Sequence, residues 1–279
     1  MYLRISDVVT LDGKFWEFTA DLAKGDTAYT NIALGAHTDN TYFVRKRMTH
    51  PVLWLRDMPD VSQTDPSGLQ LFHLLSHTDG SGGATLLVDG FYVASILKEL
   101  HPELYTLLST IPIPAHAAGD ETAIYQPSPK SGYPVLNHDP ATRELYQVRW
   151  NNDDRSVMDR LDPEVVEEWW DKSWCRLAGT DFRPFSRYEA IRTWNRLLKS
   201  PDSEYWVQLS PGTAVVVDNH RVLHGRSSFG GKRRMCGAYI GLDEYRSKLA
   251  ILKERFDPDR VTAETRDPSS SGSVWGPAL

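Results

Sequence analysis

Short runs of apolar and β-branched residues, each bounded by turn residues, predict strands in this chain. The predicted strands are Leu69 to Leu75, Thr85 to Val88, Tyr146 to Trp150, Thr213 to Val217 and Met235 to Leu242. They lie far apart along the sequence, as the strands of a β-sandwich do. We therefore expect a mainly β fold in which helices are inserted between strands.

Apolar residues at helical spacing predict the inserted helices. Three of these are Phe91 to Leu100, Pro102 to Ser109, and a segment that begins at the candidate N-cap Asp162 and ends at Gly179. A fourth helix begins at the capping box of Ser186 and Glu189. Its apolar residues, among them Trp194, recur on one face, which we interpret as core packing.

Domain boundaries follow from composition, because the chain shows no internal repeat and no Gly/Ser-rich linker. We predict one domain over residues 15–255 and a short amino-terminal segment at 1–14. Residues 256–279 are rich in Pro, Ser, Gly and charge, so we predict a disordered tail.

Composition excludes several classes of function. The 279 residues are 41% hydrophobic, which suffices for a sizeable core, and the net charge of −6 argues against nucleic-acid binding. No run approaches the ~20 apolar residues of a membrane span. Two cysteines suit a reducing compartment. We expect a cytoplasmic globular protein that binds neither membrane nor nucleic acid.

His37 and Asp39 are separated by one residue in a segment predicted to be extended. Side chains at i and i+2 of an extended chain share a face, so this pair could bind one metal ion. His224, which follows the turn at Asp218-Asn219, supplies a second imidazole. Two histidines and one carboxylate with open coordination positions are typical of non-haem Fe(II) oxygenases, whereas structural zinc needs a fourth ligand.

Oxygenases of this kind use 2-oxoglutarate, whose distal carboxylate needs a buried and permanently charged partner, and arginine supplies it. The candidates are Arg226, Arg233 and Arg234. On the predicted strand Arg233 shares a face with Tyr239 and Arg234 faces the other way, so Arg233 is the preferred candidate. The alternative is a solvated surface cluster at 232–234.

Other histidines receive no metal role. His73 and His77 have i, i+4 spacing, but in a predicted strand that spacing has no special meaning for a metal. His220 lies in the turn before His224, where it supports the site without acting as a ligand.

Five ordered segments resemble the trimethyllysine dioxygenase family, which is related to γ-butyrobetaine dioxygenase and more distantly to taurine dioxygenase. They are residues 26–30, 34–43 (LGAHTDNTYF), 86–91, 148–155 (VRWNNDDR) and 218–226 (DNHRVLHGR). The resemblance runs from about Phe15 to about Leu252. It implies a double-stranded β-helix (jelly-roll) core. It also implies hydroxylation of N6-trimethyllysine at C3, the first step of carnitine biosynthesis.

The resemblance implies Fe(II) as cofactor, 2-oxoglutarate as co-substrate and ascorbate as reductant. It assigns His37, Asp39 and His224 as catalytic iron ligands, and Arg233 and Thr85 as residues that bind the co-substrate.

A quaternary ammonium offers no hydrogen-bond donor, so aromatic faces are expected to hold it. Trp16, Tyr29 and Tyr239 match such cage positions in the γ-butyrobetaine enzyme, with Asp26 beside them. Asn151 or Asn152 could reach the polar end of the substrate. At Asp12 the relatives' cage often has a tyrosine, so this carboxylate either pairs with the trimethylammonium or removes a cage wall.

Two further departures from the family concern whole segments. Family members carry an amino-terminal zinc module with a role in dimer formation, which we expect to be absent here, so that a homodimer would be weakened. Residues 44–63 form an atypical insertion between Phe43 and Thr64. It begins with Val, whose codons start GT, and ends with Gln, whose codons include CAG. It is therefore either a retained in-frame intron or a genuine loop, which sequencing of the transcript distinguishes.

Two alternatives to the implied function remain open. One is γ-butyrobetaine hydroxylase, and the other is an inactive fragment of the family. The mitochondrial matrix is the alternative to a cytoplasmic location.

Overall fold

The computed structural model describes residues 16–19, 30–43, 66–117, 131–156 and 187–256. The strands are β1 (Trp16–Thr19), β2 (Leu34–His37), β3 (Leu69–Thr78), β4 (Thr85–Asp89), β5 (Leu136–His138), β6 (Leu145–Val148), β7 (Glu204–Val207), β8 (Ala214–Asp218), β9 (Val222–Arg226) and β10 (Lys232–Ile240). The helices are α1 (Gly90–Leu100), α2 (Pro102–Thr110), α3 (Arg187–Leu198) and α4 (Leu242–Phe256). None of these helices combines the length and the apolar character needed to cross a membrane.

Eight of the strands form two four-stranded sheets. One sheet has the order β1-β10-β3-β8 and the other has the order β2-β9-β4-β7, while β5 and β6 pair separately. All these pairings are antiparallel. Within the two four-stranded sheets, strands that pair are far apart in sequence, and β2 meets β9 across most of the chain. The prediction of a mainly β fold with inserted helices is confirmed.

The predicted elements agree with the structure where apolar runs are long. All five predicted strands exist with shifted ends; the last of them ends at Ile240 because α4 begins at Leu242. Phe256, the first residue of the predicted tail, is the last residue of α4. The predicted helix at 162–179, the insertion at 44–63 and the tail at 257–279 lie outside the described residues.

Helices α1, α2 and α3 pack together and against strands β4 and β9 to form the main hydrophobic core. Trp194 of α3 is fully buried, as are Leu97 of α1 and Leu223 of β9. The interpretation of Trp194 as a core residue is confirmed. This core lies behind the second sheet, which carries β2 and β9, and thereby fixes the position of both strands.

Asp89 links β4 to α1 and gives a testable contribution to stability. Its Oδ1 accepts hydrogen bonds from the backbone N–H groups of Phe91 and Tyr92 at 3.0 and 3.2 Å. Arg221 Nη2 lies 2.7 Å from Oδ2. Burial raises the pKa of Asp89, but the hydrogen bond from Arg221 and those from the helix N-terminus outweigh it, so the net pKa is lowered.

We expect Asp89→Ala to lower the free energy of unfolding by about 1 kcal/mol, and Asp89→Asn, which keeps a cap oxygen, to lower it less. Because the folded pKa lies below the unfolded one, this contribution is complete above about pH 4 and fades as the pH falls further. Urea denaturation at pH 7 and at lower pH measures both effects. Equal unfolding free energies of wild type and Asp89→Ala at pH 7 would contradict the capping role.

Candidate metal centre

His37, Asp39 and His224 come together as the sequence predicts. One ligand atom from each lies within 4.8 Å of the other two. His37 is the last residue of β2 and is the direct cross-strand partner of His224 in β9, while Asp39 follows β2 by two residues. The two imidazole rings are 4.5 Å apart between centroids. Pairing of β2 with β9 therefore builds the site.

Both imidazoles direct Nε2 at the carboxylate of Asp39. His37 Nε2 lies 3.4 Å from Oδ1 and His224 Nε2 lies 3.7 Å from Oδ2. His37 Nδ1–H donates to the carbonyl oxygen of Gly35 at 2.8 Å, which fixes the tautomer and keeps Nε2 available as a ligand. The side chain of Asp39 remains 23% exposed, so the centre opens to one side.

The protonation preferences of the three groups differ. Burial raises the pKa of Asp39, but hydrogen bonds and charge from His224 and His37 outweigh it and hold the pKa well below its ordinary value. Burial also lowers the pKa of His37, but Asp39 overrides it and the net pKa is raised, with a smaller contribution from the charge of Asp154. Burial lowers the pKa of His224, which favours the neutral imidazole that binds metals.

The donor set fits Fe(II). Among the residues that the structure describes, no fourth His, Cys, Asp or Glu joins the cluster. Two imidazole nitrogens and one carboxylate oxygen on one side of an ion leave further coordination positions for substrates, which is the arrangement of non-haem Fe(II) oxygenases. A closed structural zinc site would require one more ligand.

Arg233 is buried, whereas its neighbour Arg234 is exposed and pairs with Glu17. The guanidinium of Arg233 lies over the Phe229 ring at 5.5 Å, and its side chain packs beside Gly83, two residues before Thr85. Burial lowers the pKa of Arg233. The predicted opposite orientation of the two arginines is thus observed, and the solvated-cluster alternative does not describe Arg233.

Thr85 begins β4 and lies opposite Arg226 of β9, the strand that carries His224. Arg226 is also buried, but it donates hydrogen bonds to the backbone carbonyl groups of Thr30 and Ile32. Arg226 therefore holds the chain that leads into β2, while Arg233 keeps its charge near the start of β4.

Sequence reasoning missed two residues that hold Asp39. Asn219 Oδ1 accepts the backbone N–H of Asp39 at 2.9 Å, and its Nδ2 donates to the Asp39 carbonyl at 3.2 Å. Gln70 Nε2 donates to Asp39 Oδ2 at 2.6 Å. The predicted cage residue Tyr239 donates its hydroxyl to the same oxygen at 3.2 Å. No pattern in the sequence marks these contacts, because each joins residues that are distant along the chain.

The structure describes only some of the predicted substrate-binding residues. Trp16 lies in β1 opposite Gly237, close along the ladder to Tyr239. Asp12, Asp26 and Tyr29 lie outside the described residues. Asn152 is exposed.

Asn151 lies in a segment that packs beside the His37–Asp39 turn. Thr38 N–H donates to the Trp150 carbonyl at 2.7 Å, and Asn151 Nδ2 donates to Asp154 Oδ2 at 2.8 Å. Together with Thr41 and Trp150, Asn151 lines a small pocket.

Three other histidines of the described residues have partners outside the metal centre. His77 Nε2 lies 2.8 Å from the Gly230 carbonyl, and His73 Nδ1 lies 3.7 Å from Cys236 Sγ. His220 is buried with Nε2 3.2 Å from the Pro66 carbonyl, so it supports the loop behind the site.

Gly225 allows β2 to approach β9 closely at the metal centre. A Cβ atom there would lie 2.5 Å from the Leu34 carbonyl oxygen and 2.9 Å from that of Gly35. Gly225→Ala must push β2, and with it His37, away from His224. We expect a loss of about 1–3 kcal/mol in unfolding free energy and about 10-fold weaker metal binding. Denaturation and metal titration measure the two effects.

Gly35→Ala is the matched control, because a Cβ atom at Gly35 meets nothing within 4 Å. It lies on the opposite strand of the same pair and should leave metal affinity unchanged. Equal effects of the two substitutions would show that close approach at Gly225 is not what sets the ligand geometry.

Comparison with known proteins places these observations in context. The family described as "Taurine catabolism dioxygenase TauD, TfdA family" matches residues 8–239. The chain is 42% identical over 253 residues to trimethyllysine dioxygenase of Meyerozyma guilliermondii, covering 90% of this chain and 52% of the relative. It is 38% identical to the mitochondrial trimethyllysine dioxygenase of Homo sapiens, covering 87% and 48%. Human γ-butyrobetaine dioxygenase is 26% identical, covering 89% and 54%.

Solved structures share the fold. An asparagine oxygenase in complex with Fe(II), 3-hydroxyasparagine and succinate aligns with a TM-score of 0.51 at 13% identity, covering 82% of this chain and 57% of that one. A variant of the non-haem iron oxygenase OrfP in complex with (3S)-hydroxy-L-Arg aligns with a TM-score of 0.50 at 18% identity, covering 85% and 60%. The chain spans about half the length of the curated relatives that it matches.

Proposed function

Because this chain belongs to the TauD, TfdA family of dioxygenases, we propose that it is an Fe(II)- and 2-oxoglutarate-dependent oxygenase that hydroxylates N6-trimethyllysine at C3. In the proposed reaction trimethyllysine, 2-oxoglutarate and O2 give 3-hydroxytrimethyllysine, succinate and CO2. This would be the first step of carnitine biosynthesis. The convergence of His37, Asp39 and His224 carries the oxygenase part of the proposal.

The choice of substrate rests on the relatives. Trimethyllysine dioxygenases from a yeast and from mammals are clearly more similar to this chain than γ-butyrobetaine dioxygenase is. γ-Butyrobetaine therefore remains the second candidate substrate.

The residues of this chain have separate parts in the proposed reaction. Fe(II) bound with 2-oxoglutarate supplies the oxidising chemistry, in which decarboxylation of the co-substrate is coupled to insertion of oxygen into a C–H bond. His37, Asp39 and His224 would hold the ion from one side. Arg233 would bind the distal carboxylate of 2-oxoglutarate, with Thr85 assisting, because a buried guanidinium is a strong partner for a carboxylate.

Recognition of the substrate would depend on its two ends. The trimethylammonium group has no donor and would be held by the faces of Trp16, Tyr29 and Tyr239, with Asp26 adding a negative charge. Asn151 would bind the polar end, since it lies in the segment packed beside His37. Fixing both ends would present C3 to the metal centre, so positioning decides which carbon reacts.

The sheet order supports a double-stranded β-helix core. Strands β1, β3, β8 and β10 belong to one sheet and β2, β4, β7 and β9 to the other, so that the chain passes repeatedly between the two sheets. This is the arrangement expected of a jelly-roll. In such a core the metal ligands lie between the sheets. His37 and His224 belong to one sheet, and Tyr239, which donates to Asp39, belongs to the other.

Location, assembly and reductant are further parts of the proposal. The bovine and human relatives are named mitochondrial, which favours the mitochondrial matrix over the cytoplasm. Ascorbate would keep the iron reduced between turnovers. A homodimer is the proposed assembly.

The experiment is anaerobic loading with Fe(II), followed by measurement of succinate formed from 2-oxoglutarate and O2. Trimethyllysine and γ-butyrobetaine are compared at equal concentration, and the hydroxylated product is identified by mass spectrometry. Succinate formation that requires trimethyllysine supports the proposal. Turnover of γ-butyrobetaine alone would replace it by the second candidate.

Absence of turnover with either substrate, from folded protein that binds Fe(II), would mean that the chain is an inactive member of the family. A cooperative thermal transition that shifts upward on adding metal and 2-oxoglutarate distinguishes this outcome from a misfolded chain.

A further inference from the structure

Two side chains from neighbouring strands donate hydrogen bonds to a single oxygen of the candidate metal ligand Asp39. Gln70 Nε2 lies 2.6 Å from Oδ2, and the Tyr239 hydroxyl lies 3.2 Å from the same atom. The other carboxylate oxygen, Oδ1, takes part in neither of these hydrogen bonds and lies 3.4 Å from His37 Nε2, whereas Oδ2 lies 3.7 Å from His224 Nε2. Each carboxylate oxygen thus faces one imidazole, but both donors bind Oδ2, and Oδ1 has the shorter distance to an imidazole nitrogen.

The pairing of β3 with β10 places the two donors next to each other. Gln70 of β3 and Tyr239 of β10 are direct cross-strand partners in an antiparallel ladder, so their side chains emerge on the same face at close distance. Gln70 is fully buried and its Oε1 has no hydrogen-bond partner among the described residues. A buried amide with one unmet acceptor is costly, which argues that its donor end has a function.

We propose that Gln70 and Tyr239 are a positioning pair that holds Oδ2 of Asp39 and thereby presents Oδ1 to the metal as a single-oxygen ligand. The proposal rests on the Fe(II) centre of the proposed function, but not on the identity of the organic substrate. Neither residue belongs to the ligand group of His37, Asp39 and His224, so both would act through Asp39.

The physical basis is that a carboxylate bound to a metal through one oxygen has a second oxygen that needs donors. If those donors are lost, the carboxylate rotates, and both oxygens compete for the ion and for the coordination positions that the substrates need. Contacts of this kind beyond the direct ligands typically change metal affinity by about 10- to 100-fold. The first sheet, through β3 and β10, thus controls a ligand carried by the second sheet.

The ring and the hydroxyl group of Tyr239 have different proposed roles, which one substitution can distinguish. Its ring matches a cage position for the trimethylammonium group, whereas its hydroxyl is bound to Asp39. Tyr239→Phe removes the hydroxyl and keeps the aromatic face. The variant therefore tests the positioning role without removing the proposed cage wall.

The experiment is titration of the metal-free protein with Co(II), whose visible spectrum responds to coordination number and geometry. The variants are Gln70→Met and Tyr239→Phe. Their matched controls are Gln208→Met and Tyr205→Phe, at exposed positions on or next to β7. His224→Ala measures binding outside the site, and thermal unfolding of each metal-free variant confirms that it is folded at the titration temperature.

We expect Gln70→Met to weaken Co(II) binding by about 10- to 100-fold and to alter the spectrum of the bound ion. For Tyr239→Phe, whose hydrogen bond is longer, we expect about 3- to 10-fold weaker binding. Both controls should match wild type. A role confined to folding would lower the unfolding temperature but leave the Co(II) affinity and spectrum of the folded variant unchanged.

Wild-type affinity and spectrum in both Gln70→Met and Tyr239→Phe would overturn the proposal. If Gln70→Met does not fold, Tyr239→Phe alone decides. A wild-type protein that binds Co(II) but turns over neither trimethyllysine nor γ-butyrobetaine overturns the proposed function and leaves this test valid. A wild type that binds Co(II) no better than His224→Ala overturns both.

Discussion

Replacement of His224 by alanine abolishes metal-dependent turnover, with an expected loss of about 10³-fold or more in rate at saturating substrate. His224 supplies one of three ligand atoms, and it is the least exposed side chain of the three, at 9%. Removing its imidazole leaves a two-ligand site, and no other His, Cys, Asp or Glu of the described residues is placed to replace it. The measurement is succinate formation with Fe(II) and 2-oxoglutarate, alongside a metal titration.

His73→Ala is the matched control for this loss. His73 also lies in a central strand, but its Nδ1 is near Cys236 Sγ and it belongs to no metal cluster among the described residues. This variant should retain metal binding and turnover. Full activity in His224→Ala, or equal losses in the two variants, would show that the three residues are not the metal centre.

The sequence predicts the chemistry of the site better than it predicts the strands that build it. His37 and Asp39 are separated by one residue, and alternation along one strand suffices to separate Arg233 from Arg234. The strands β2 and β9 are not among the predicted strands, because glycine and polar residues interrupt their short apolar stretches. Their pairing, which brings His37 to His224, is set by tertiary packing that no local pattern encodes.

Helix α4 shows the opposite case, in which a local signal is present but a packing signal is absent. Asp243 and Glu244 lie in its first turn and Lys253 and Arg255 in its last turn, as a helix dipole favours. None of its residues is buried, although Tyr245, Leu249 and Leu252 recur at helical spacing. Its apolar residues therefore do not pack into a core as those of α1 and α3 do.

Gln70 marks the limit of sequence reasoning for the site itself. It lies in a run that is mostly apolar, and a glutamine in such a run is fully buried only if a distant partner meets its amide. That partner, Asp39, is 31 residues away in sequence and belongs to the turn after a strand of the other sheet. Contacts of this kind depend on the three-dimensional arrangement of both sheets.

We expect Arg233 to determine the affinity for 2-oxoglutarate. In the absence of 2-oxoglutarate, we expect the same residue to lower the free energy of unfolding. Arg233 is 4% exposed, and the described residues offer its guanidinium an aromatic face and no acidic partner. A buried cation of this kind is costly unless an anion pairs with it. We therefore expect Arg233→Met to raise the KM for 2-oxoglutarate by about 100-fold or more.

The same substitution should leave the unfolding free energy of the ligand-free protein unchanged or raise it, because a desolvated charge is replaced by an apolar side chain. Thermal unfolding without 2-oxoglutarate tests the expected change in stability, and unfolding with 2-oxoglutarate tests the expected loss of ligand stabilisation. Wild type should be stabilised by about 2.7 kcal/mol at 100 times the dissociation constant, whereas Arg233→Met at the same concentration should show almost none. Arg234→Met, whose guanidinium is exposed and pairs with Glu17, is the matched control and should behave as wild type. If Arg234→Met rather than Arg233→Met loses the response, the anion site lies on the opposite face of β10.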